Sequence, residues 1–325
     1  MEKLNADDGP DPLADVLEGV RFRSTIFCRS LMTAPWGFSV AGREIATFHY
    51  VERGDCWLEV DGTAPTLRLQ SGDLVLLPHG HAHAVRDAPQ SPVTALDDLV
   101  AGRSETDGPT LRHGGGGPAT TLVCGGFSFD DRDAIPFLPA LPAVIHLREG
   151  GRAGSWLRAA QEVIAGEVET NRVGESTILG RLSDLIFIEA VRSYFSDASG
   201  GPRGWFAALN DRHIGASISL IHRELRKSWT VASLAAAVGM SRSAFAQRFS
   251  VLLGESPIQY LARQRIARAC SLLGARPSTV AKIADQVGYE SDVAFSRAFK
   301  RHVGLSPLDY RDAKRAKRGP AERTP

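Results

Sequence analysis

The sequence predicts an α+β protein of several domains: a β-rich N-terminal domain, a helical middle segment and an all-α C-terminal domain. Three observations predict this arrangement. From Arg21 to Phe129, apolar and polar residues alternate between turns rich in glycine, proline and aspartate, which is typical of strands. After Pro142 the apolar residues recur at helical spacing. Towards the C-terminus one pattern occurs twice, which indicates a repeated structural unit.

Composition and pattern divide the 325 residues into five parts. We expect the polar start to be disordered or loosely ordered, and the polar residues 97–120, which include four consecutive glycines, to be a flexible loop between strands. Residues 200–204 are predicted to form a linker. The predicted boundaries are 1–20 for the start, 21–140 for the β domain, 141–205 for a helical linker and dimerisation segment, 206–315 for the helical C-terminal domain and 316–325 for a basic tail.

Neither a signal peptide nor a membrane span is predicted. The first fifteen residues lack an apolar stretch beside a basic cluster, and later apolar runs such as residues 185–188 are interrupted by charges. The four cysteines are too few and too scattered for a disulfide framework. We therefore expect a cytoplasmic protein.

Charge is distributed unevenly along the chain, although the net charge is only +1. Residues 210–325 contain 20 basic and 9 acidic residues, whereas residues 1–209 contain 18 and 28. A compact domain with this basic excess suits a polyanionic partner, because basic surfaces neutralise phosphates and release counterions.

The repeat begins with two closely similar segments, residues 231–239 and residues 280–288, each followed shortly by a serine, Ser241 or Ser291. The two halves, about fifty residues apart, then continue alike. The matching residues are Phe245 with Phe295, Phe249 with Phe299, Gly254 with Gly304, Pro257 with Pro307 and Tyr260 with Tyr310. One structural unit is therefore used twice.

The pattern of each unit predicts two helices joined by a tight turn. A small residue, Ala235 or Ala284, lets the two helices cross closely. A glycine can end the first helix in a left-handed conformation, and the serine after it can cap the second helix. The sequence thus predicts two helix-turn-helix units, at about residues 230–252 and 279–302.

The second helix of a helix-turn-helix unit enters the major groove of DNA. With the phenylalanines facing the core, helical spacing leaves one set of side chains facing outward. These candidate DNA-binding residues are Arg242, Ser243, Ala246 and Gln247 in the first unit and Asp292, Val293, Ser296 and Arg297 in the second. Arg248, Lys300 and Arg301 are candidates for phosphate contacts.

The outward side chains differ in the base contacts that they can make. Arg242, Gln247 and Arg297 carry donors suited to guanine or adenine edges. Ala246 and Val293 can contact thymine methyl groups. An acid such as Asp292 accepts from cytosine or repels phosphate, so the second unit is the weaker reader.

Residues 210–314 resemble the DNA-binding domain of the AraC/XylS family, in which a long helix, here about residues 257–273, joins two helix-turn-helix units. The resemblance implies a double-stranded operator and RNA polymerase as partners, and activation rather than repression.

The apolar positions of the two predicted middle helices could close the β domain or pair with a second subunit. We favour a homodimer, because operators are usually read by dimers. These positions are Trp156, Ala160, Val163, Ile164, Ile178, Leu182, Leu185, Ile186 and residues 188–190.

The β domain contains one of the two motifs of cupin barrels. Gly72, Pro78, Gly80, His83 and Asp87 fit the second cupin motif, except that its last position is normally asparagine. The first motif is poorly kept, since a threonine stands in place of its glutamate ligand and no His-x-His pair precedes it. Residues 20–205 therefore resemble the cupin-like barrel and helices of the sensor arm in AraC-class regulators.

Strand alternation points His49 inward towards His83, and we group these two residues with Cys124 as candidate sensor residues. Three interpretations of this group remain open. They are interior residues with structural roles, or a pocket for a small molecule or for zinc or another divalent metal, or an oxidant sensor. For the third, Cys28 and Cys124 resemble paired cysteines in an oxidant-responsive member of this class. Two other cysteines, Cys56 and Cys270, are expected to be structural, and the histidines at 79 and 81 to be exposed turn residues.

The sequence therefore predicts a DNA-binding transcription regulator controlled by a small-molecule, metal or oxidant signal, and not an enzyme. One alternative is a metal-dependent cupin enzyme with a helical appendage, against which the missing ligands count. The other is a DNA-binding protein without signal input.

Overall fold

The computed structural model describes residues 11–20, 22–63, 65–102, 110–129, 132, 135–151, 153–170, 173–197, 205–275 and 278–318. The chain forms two compact units. The barrel unit consists of Phe22–Phe129 and Leu141–Ala198. The helical unit consists of Met1–Arg21, Asp130–Ala140 and Ser199–Pro325.

Within the described residues, the barrel unit has eleven strands. They are β1 (Phe22–Thr33), β2 (Gly37–Val40), β3 (Ala46–Arg53), β4 (Asp55–Val60), β5 (Leu67–Gln70), β6 (Leu74–Leu77), β7 (His83–Arg86), β8 (Thr94–Ala95), β9 (Thr110–Gly114), β10 (Ala119–Phe129) and β11 (Ile145–Leu147). One sheet has the order β11-β6-β3-β10-β1-β9 and the other β5-β4-β7-β2-β8. The β-rich N-terminal domain predicted from the sequence is confirmed.

Strand alternation separates an inner and an outer face of the larger sheet. On β3, His49 and Val51 belong to the inner face, while Phe48 lies on the outer face with its ring 5.5 Å from that of Phe127. The inner face packs against the second sheet and forms an apolar core. This core contains Met32, Trp36, Phe38, Val51, Cys56, Leu58, Val75, Val85 and Leu122.

Three helices accompany the strands: α2 (Leu96–Ala101), α3 (Gly154–Thr170) and α4 (Glu175–Asp197). The α4 helix packs on β1, and its Phe187 ring lies 5.4 Å from Phe127. One side of α4 therefore closes the barrel sheet, which is the alternative to pairing with a second subunit. Apolar side chains on the other side of the helices stay exposed, with Ile178 at 42% and Leu185 at 49%.

Two segments of the barrel unit contain strands where the sequence predicts a loop or helices. The stretch 97–120 is not simply a loop, since it contains most of α2 and all of β9, which pairs in parallel with β1; residues 103–109 lie outside the described part. The segment after residue 141 first adds strand β11 to the sheet beside β6, before its helices begin. A three-residue strand is too short to give a clear periodic pattern.

The helical unit contains nine α-helices within the described residues. They are α1 (Pro12–Gly19), α5 (Trp205–Asn210), α6 (Arg212–Arg223), α7 (Val231–Ala237), α8 (Arg242–Leu253), α9 (Pro257–Ala275), α10 (Val280–Gln286), α11 (Asp292–Val303) and α12 (Pro307–Arg318). The predicted tail at 316–325 starts within α12, and its end lies outside the described residues, as does the predicted linker at 200–204. None of the helices in the described parts is long and apolar enough to span a membrane.

The expectation of a loosely ordered start is wrong for residues 12–19, which form α1; residues 1–10 lie outside the described part. Asp11 caps this helix with its side chain and Pro12 occupies the first turn. Both residues are signals of a helix start, so the sequence does carry the information for α1. Leu13 and Val16 are buried, and α1 packs against α6.

The two helix-turn-helix units are α7 with α8 and α10 with α11, joined by α9. Ser241 and Ser291 cap α8 and α11, since their hydroxyl oxygens accept from backbone N–H groups three residues later. The phenylalanines at 245, 249, 295 and 299 are fully buried. This burial orients both second helices, because the side opposite the phenylalanines must face outward.

We expect Gly80→Ala to destabilise the barrel unit far more than Gly62→Ala. Both glycines have positive φ, at 69° and 73°, so alanine at either costs about 1–2 kcal/mol in backbone strain. An added Cβ at Gly80 would also lie 2.1 Å from the Arg43 carbonyl oxygen, whereas the space around Gly62 is open. Urea unfolding of both variants measures the difference, and equal losses would contradict the close approach.

Candidate functional site

The candidate DNA-contacting side chains form one row on α8 and another on α11. Both rows lie outside the buried face that carries the phenylalanines. Arg242, Ser243, Gln247, Arg248, Asp292, Val293, Arg297, Lys300 and Arg301 are exposed, and Ala246 and Ser296 are half-buried. Such rows of polar, cationic and small side chains can contact base edges and phosphates.

One exposed residue of the first row, Arg248, forms an ion pair with another residue of the helical unit. Its Nε and Nη2 atoms lie 2.6 and 2.5 Å from Oδ2 of Asp211, the N-cap residue of α6. Burial would raise the pKa of the Asp211 carboxyl, but hydrogen bonds from the Ile214 N–H and from Arg248 outweigh this and lower the pKa. Arg248 therefore ties α8 to α6. Asp211 is not among the residues predicted from the sequence, although an aspartate directly before an amphipathic helix is an N-cap signal.

The histidines and the cysteine of the candidate sensor meet inside the barrel unit. Cys124 lies opposite His49 in the register of β10 and β3. His49 Nδ1 is 3.0 Å from Cys124 Sγ, and His49 Nε2 is 2.7 Å from His83 Nε2. His83 Nδ1 is 2.8 Å from the His81 carbonyl oxygen. All three side chains are at most 3% exposed, so they form a buried chain of hydrogen bonds.

The carbonyl at the end of this chain assigns the protons. A carbonyl oxygen only accepts, so His83 Nδ1 donates to it and the neutral His83 ring must accept at Nε2. His49 Nε2 therefore donates to His83. The remaining ring nitrogen, His49 Nδ1, accepts from the thiol of Cys124. Every polar group in this series of hydrogen bonds then has a partner while both imidazole rings stay neutral.

The electrostatics of the barrel interior favour these neutral rings. Burial, and next the neighbouring His83, lower the pKa of His49 well below 6.5. Burial also lowers the pKa of His83, and the His81 carbonyl only partly offsets it. Transfer of the Cys124 proton to His49 in the resting protein is therefore unfavourable, because it would create a buried imidazolium.

The donor set does not fit a metal bound by all three side chains. Zinc would require Cys124 and both histidines to converge within about 2.0–2.3 Å of one point. The two nitrogens of His49 instead point to different neighbours. In the described part of the chain, no group of three or more histidine, cysteine or acidic side chains is arranged to hold a metal ion.

The other cysteines and histidines have distinct surroundings. Cys28 pairs with Cys124 in the antiparallel register of β1 and β10, while its side chain lies outside the description. Cys56 is fully buried, and burial raises the pKa of its thiol to about 12. His79 and His81 are half-buried rather than exposed, since the His79 ring contacts the Leu141 carbonyl oxygen at 2.9 Å.

A cavity of about 680 Å³ on the barrel unit was not anticipated from the sequence. Its wall includes Arg68, Asp73, His146, Arg148 and Glu149. His146 Nε2 lies 3.0 Å from the Asp73 carboxylate, which also accepts from backbone N–H groups. The wall residues come from two distant parts of the chain, so no local motif marks the cavity.

Comparisons with known proteins match both units. A cupin family model matches residues 11–196, and a helix-turn-helix domain model matches residues 234–313. A putative AraC-like transcription regulator of Streptomyces lividans is 33% identical over 301 residues, which cover 93% of this chain and 98% of the relative. The HTH-type transcriptional regulator AlkR of Acinetobacter baylyi is 31% identical over 310 residues, covering 93% and 99%.

The chain belongs to the AraC-like transcription regulators. It is a DNA-binding regulator with a cupin domain, as the motifs predicted. A crystal structure of the DNA-binding domain of AdpA, described as the global transcriptional factor, in complex with a target DNA is 36% identical in sequence. The matched region covers 33% of this chain and 96% of the AdpA domain, with a TM-score of 0.32.

We expect the free energy of unfolding of the regulator's barrel unit to fall as the pH drops below 6.5. The lowered pKa values mean that His49 and His83 are neutral when folded but bind protons when unfolded, at their ordinary pKa of 6.5. This stability is complete above that pH and is lost below it, by at most about 1.4 kcal/mol per pH unit for each histidine.

Urea unfolding of the wild type and of His49→Gln between pH 7.5 and 5 measures this loss, and the variant should depend less on pH. The matched control is His222→Gln, which removes a buried histidine of the helical unit with a pKa lowered to about 4 by burial. It should leave the barrel transition unchanged. Identical pH profiles for the wild type and His49→Gln would exclude the buried neutral pair.

Proposed function

We propose that this AraC-like regulator acts in the cytoplasm as a homodimeric activator, which binds operator DNA and contacts RNA polymerase in response to a signal received by the barrel unit. The observation that carries this proposal is the pair of recognition helices, each with its polar row exposed. The basic excess of residues 210–325 favours the same conclusion.

The two rows divide into base contacts and phosphate contacts. Arg242, Gln247 and Arg297 donate to guanine or adenine edges, and Ala246 and Val293 contact thymine methyl groups. Ser243, Asp292 and Ser296 stand at the same surface. The phosphate contacts are Lys300 and Arg301, together with the part of Arg248 that its ion pair with Asp211 leaves accessible.

Dimer formation is supported by the exposed apolar side chains of the barrel helices. Ile178 and Leu185 are seven residues apart, and thus two turns apart on one side of α4. Val163 on α3 is 45% exposed. A second copy of the chain would cover such a row, and a monomeric mass in sedimentation equilibrium at micromolar concentration would remove this part of the proposal.

For the signal we propose an uncharged two-electron oxidant such as a peroxide, acting at Cys124 and Cys28. Opposed residues of antiparallel strands have Cα atoms about 4.5–5.5 Å apart, within the range that a disulfide requires. The Cys124 sulfur attacks a peroxide oxygen and the O–O bond breaks, while His49 Nδ1 accepts the thiol proton and passes it to the leaving hydroxide, so that sulfenic acid and one water form. The Cys28 sulfur then attacks the sulfenic sulfur; the S–OH bond breaks, and the hydroxyl leaves as a second water with the proton of Cys28, which closes the disulfide.

We further propose that the barrel is a sensor rather than a cupin enzyme. Thr47 stands where the cupin motif carries its glutamate ligand, and His49 uses both ring nitrogens for neighbouring side chains. A cupin enzyme requires several ligands around one open metal position. Turnover of a small substrate by protein loaded with iron or manganese would contradict this proposal.

We expect Arg242→Ala and Arg297→Ala each to weaken binding to a specific duplex by about 5–150-fold, because each removes a base contact worth about 1–3 kcal/mol. Binding to random-sequence duplex should change little. The matched control is Arg315→Ala, an exposed arginine on α12 outside both recognition helices, which should not change the preference for the specific duplex.

Gel retardation with a duplex selected for tight binding to the full-length regulator provides the measurement, and a promoter fusion reports activation or repression. If both variants retained the preference of the wild type for the specific duplex, the assignment of the two rows would be wrong.

We expect mild peroxide treatment to change promoter output in the wild type, and Cys28→Ser and Cys124→Ser each to abolish the change. The reason is that a disulfide needs both sulfurs, and its closure alters the β1–β10 pair. Cys56→Ser is the control, since its buried thiol lies on another sheet and should not affect the response. A peroxide response that survives in Cys124→Ser would exclude this site.

A further inference from the structure

Arg265 lies near the middle of α9, the helix that joins the two helix-turn-helix units. Its guanidinium is half-buried and contacts the loop between α6 and α7. Nε donates to the Leu225 carbonyl at 2.9 Å, and Nη2 donates to the Lys227 carbonyl at 2.8 Å. This loop leads into α7, so these hydrogen bonds attach Arg265 to the first helix-turn-helix unit.

The same guanidinium reaches the turn of the second unit. It lies over the ring of Tyr289, 5.7 Å from the ring centroid. The preceding Gly288 has a φ of 87°, and a Cβ added there would be only 2.7 Å from Arg265 Nη2 and from the Arg226 carbonyl oxygen. The turn between α10 and α11 is therefore in close contact with both Arg265 and the loop before α7.

A second link joins the same two parts. Arg226 Nη2 lies 2.7 Å from Asp285 Oδ1, and thus connects the loop before α7 to α10. Both side chains are mostly exposed, so solvent screens this ion pair and it contributes little by itself. The half-buried Arg265, with two carbonyl acceptors and an aromatic ring, is the stronger link.

We infer that Arg265 is a positioning residue, which holds α8 and α11 at one fixed separation and so makes the regulator require two DNA segments at one spacing. The inference rests on the proposed reading of DNA by both helices. Arg265 links the two helix-turn-helix units to each other and is not needed within either, because each helix-turn-helix unit has its own aromatic core. Phe249 packs on Tyr260 in the first, and Phe299 packs on Tyr310 in the second.

The test compares spacing penalties in the full-length wild type and Arg265→Met. A duplex selected for tight binding to the wild type is first mapped by hydroxyl-radical footprinting. Protection lost in Arg242→Ala and in Arg297→Ala identifies the two contacted segments. Duplexes with one or two base pairs inserted or deleted between these segments are then titrated with each protein.

We expect the wild type to lose at least about tenfold in affinity when one base pair is inserted, since each added pair moves and rotates one segment relative to the other. Arg265→Met should bind the original duplex more weakly, with its penalty for the insertion reduced to about threefold or less. A variant that is merely less stable would bind every duplex more weakly and keep the same ratio between them.

Arg263→Met is the matched control. Arg263 lies two residues away on α9, but it pairs with Glu255 and stacks on Tyr260, both within the first unit. It should keep the spacing penalty of the wild type. Tyr289→Leu removes the other side of the link and should reproduce the relaxed spacing if Arg265→Met does not fold.

Equal spacing penalties in the wild type, Arg265→Met and Tyr289→Leu would overturn the inference while leaving both recognition helices as DNA readers. A wild type that shows one footprinted segment and no spacing penalty would instead overturn the reading of DNA by two helices, and the inference with it.

Discussion

Burial of two phenylalanine pairs is the constraint on which the helical unit depends. Phe245 and Phe249, and likewise Phe295 and Phe299, are fully buried in the two aromatic cores that flank α9. A large aromatic side chain contributes several kcal/mol when it leaves water, so rotation of α8 or α11 about its axis is strongly unfavourable. The polar rows of both helices are exposed as a direct result. The packing of the phenylalanines thereby exposes polar, cationic and small side chains, the types that contact base edges and phosphates.

A second constraint acts within the barrel unit, where polar groups are buried among apolar ones. A buried imidazole must find hydrogen-bond partners or lose free energy. His49 satisfies both ring nitrogens with Cys124 and His83, and the His81 carbonyl completes the series. The same arrangement keeps both rings neutral and gives the thiol a neighbouring base. The His49 imidazole, whose hydrogen bonds the barrel interior needs, is thus also the base that lies beside the Cys124 thiol.

The helical unit is held together by arginines as well as by its cores. Arg248 joins α8 to α6 through Asp211, and Arg265 joins the two helix-turn-helix units through backbone carbonyls and Tyr289. Planar guanidinium groups can contact several partners at once, which suits them to such links. A basic excess in this domain is therefore divided between surface cations and cations that fix the positions of helices.

The sequence by itself determined the order of domains and both helix-turn-helix units, because these rest on local periodicity, capping residues or a repeat. It indicated the cupin-like barrel through a motif of fixed spacing and the family resemblance that this motif supports. It also indicated that His49 and His83 share the barrel interior. Only the tertiary structure decided which nitrogen faces which neighbour, which side of α4 covers the sheet and that Cys28 is opposite Cys124. It likewise revealed α1 on the helical unit and the two arginine links. These features depend on contacts between residues far apart in the chain, and local patterns carry no information about such contacts.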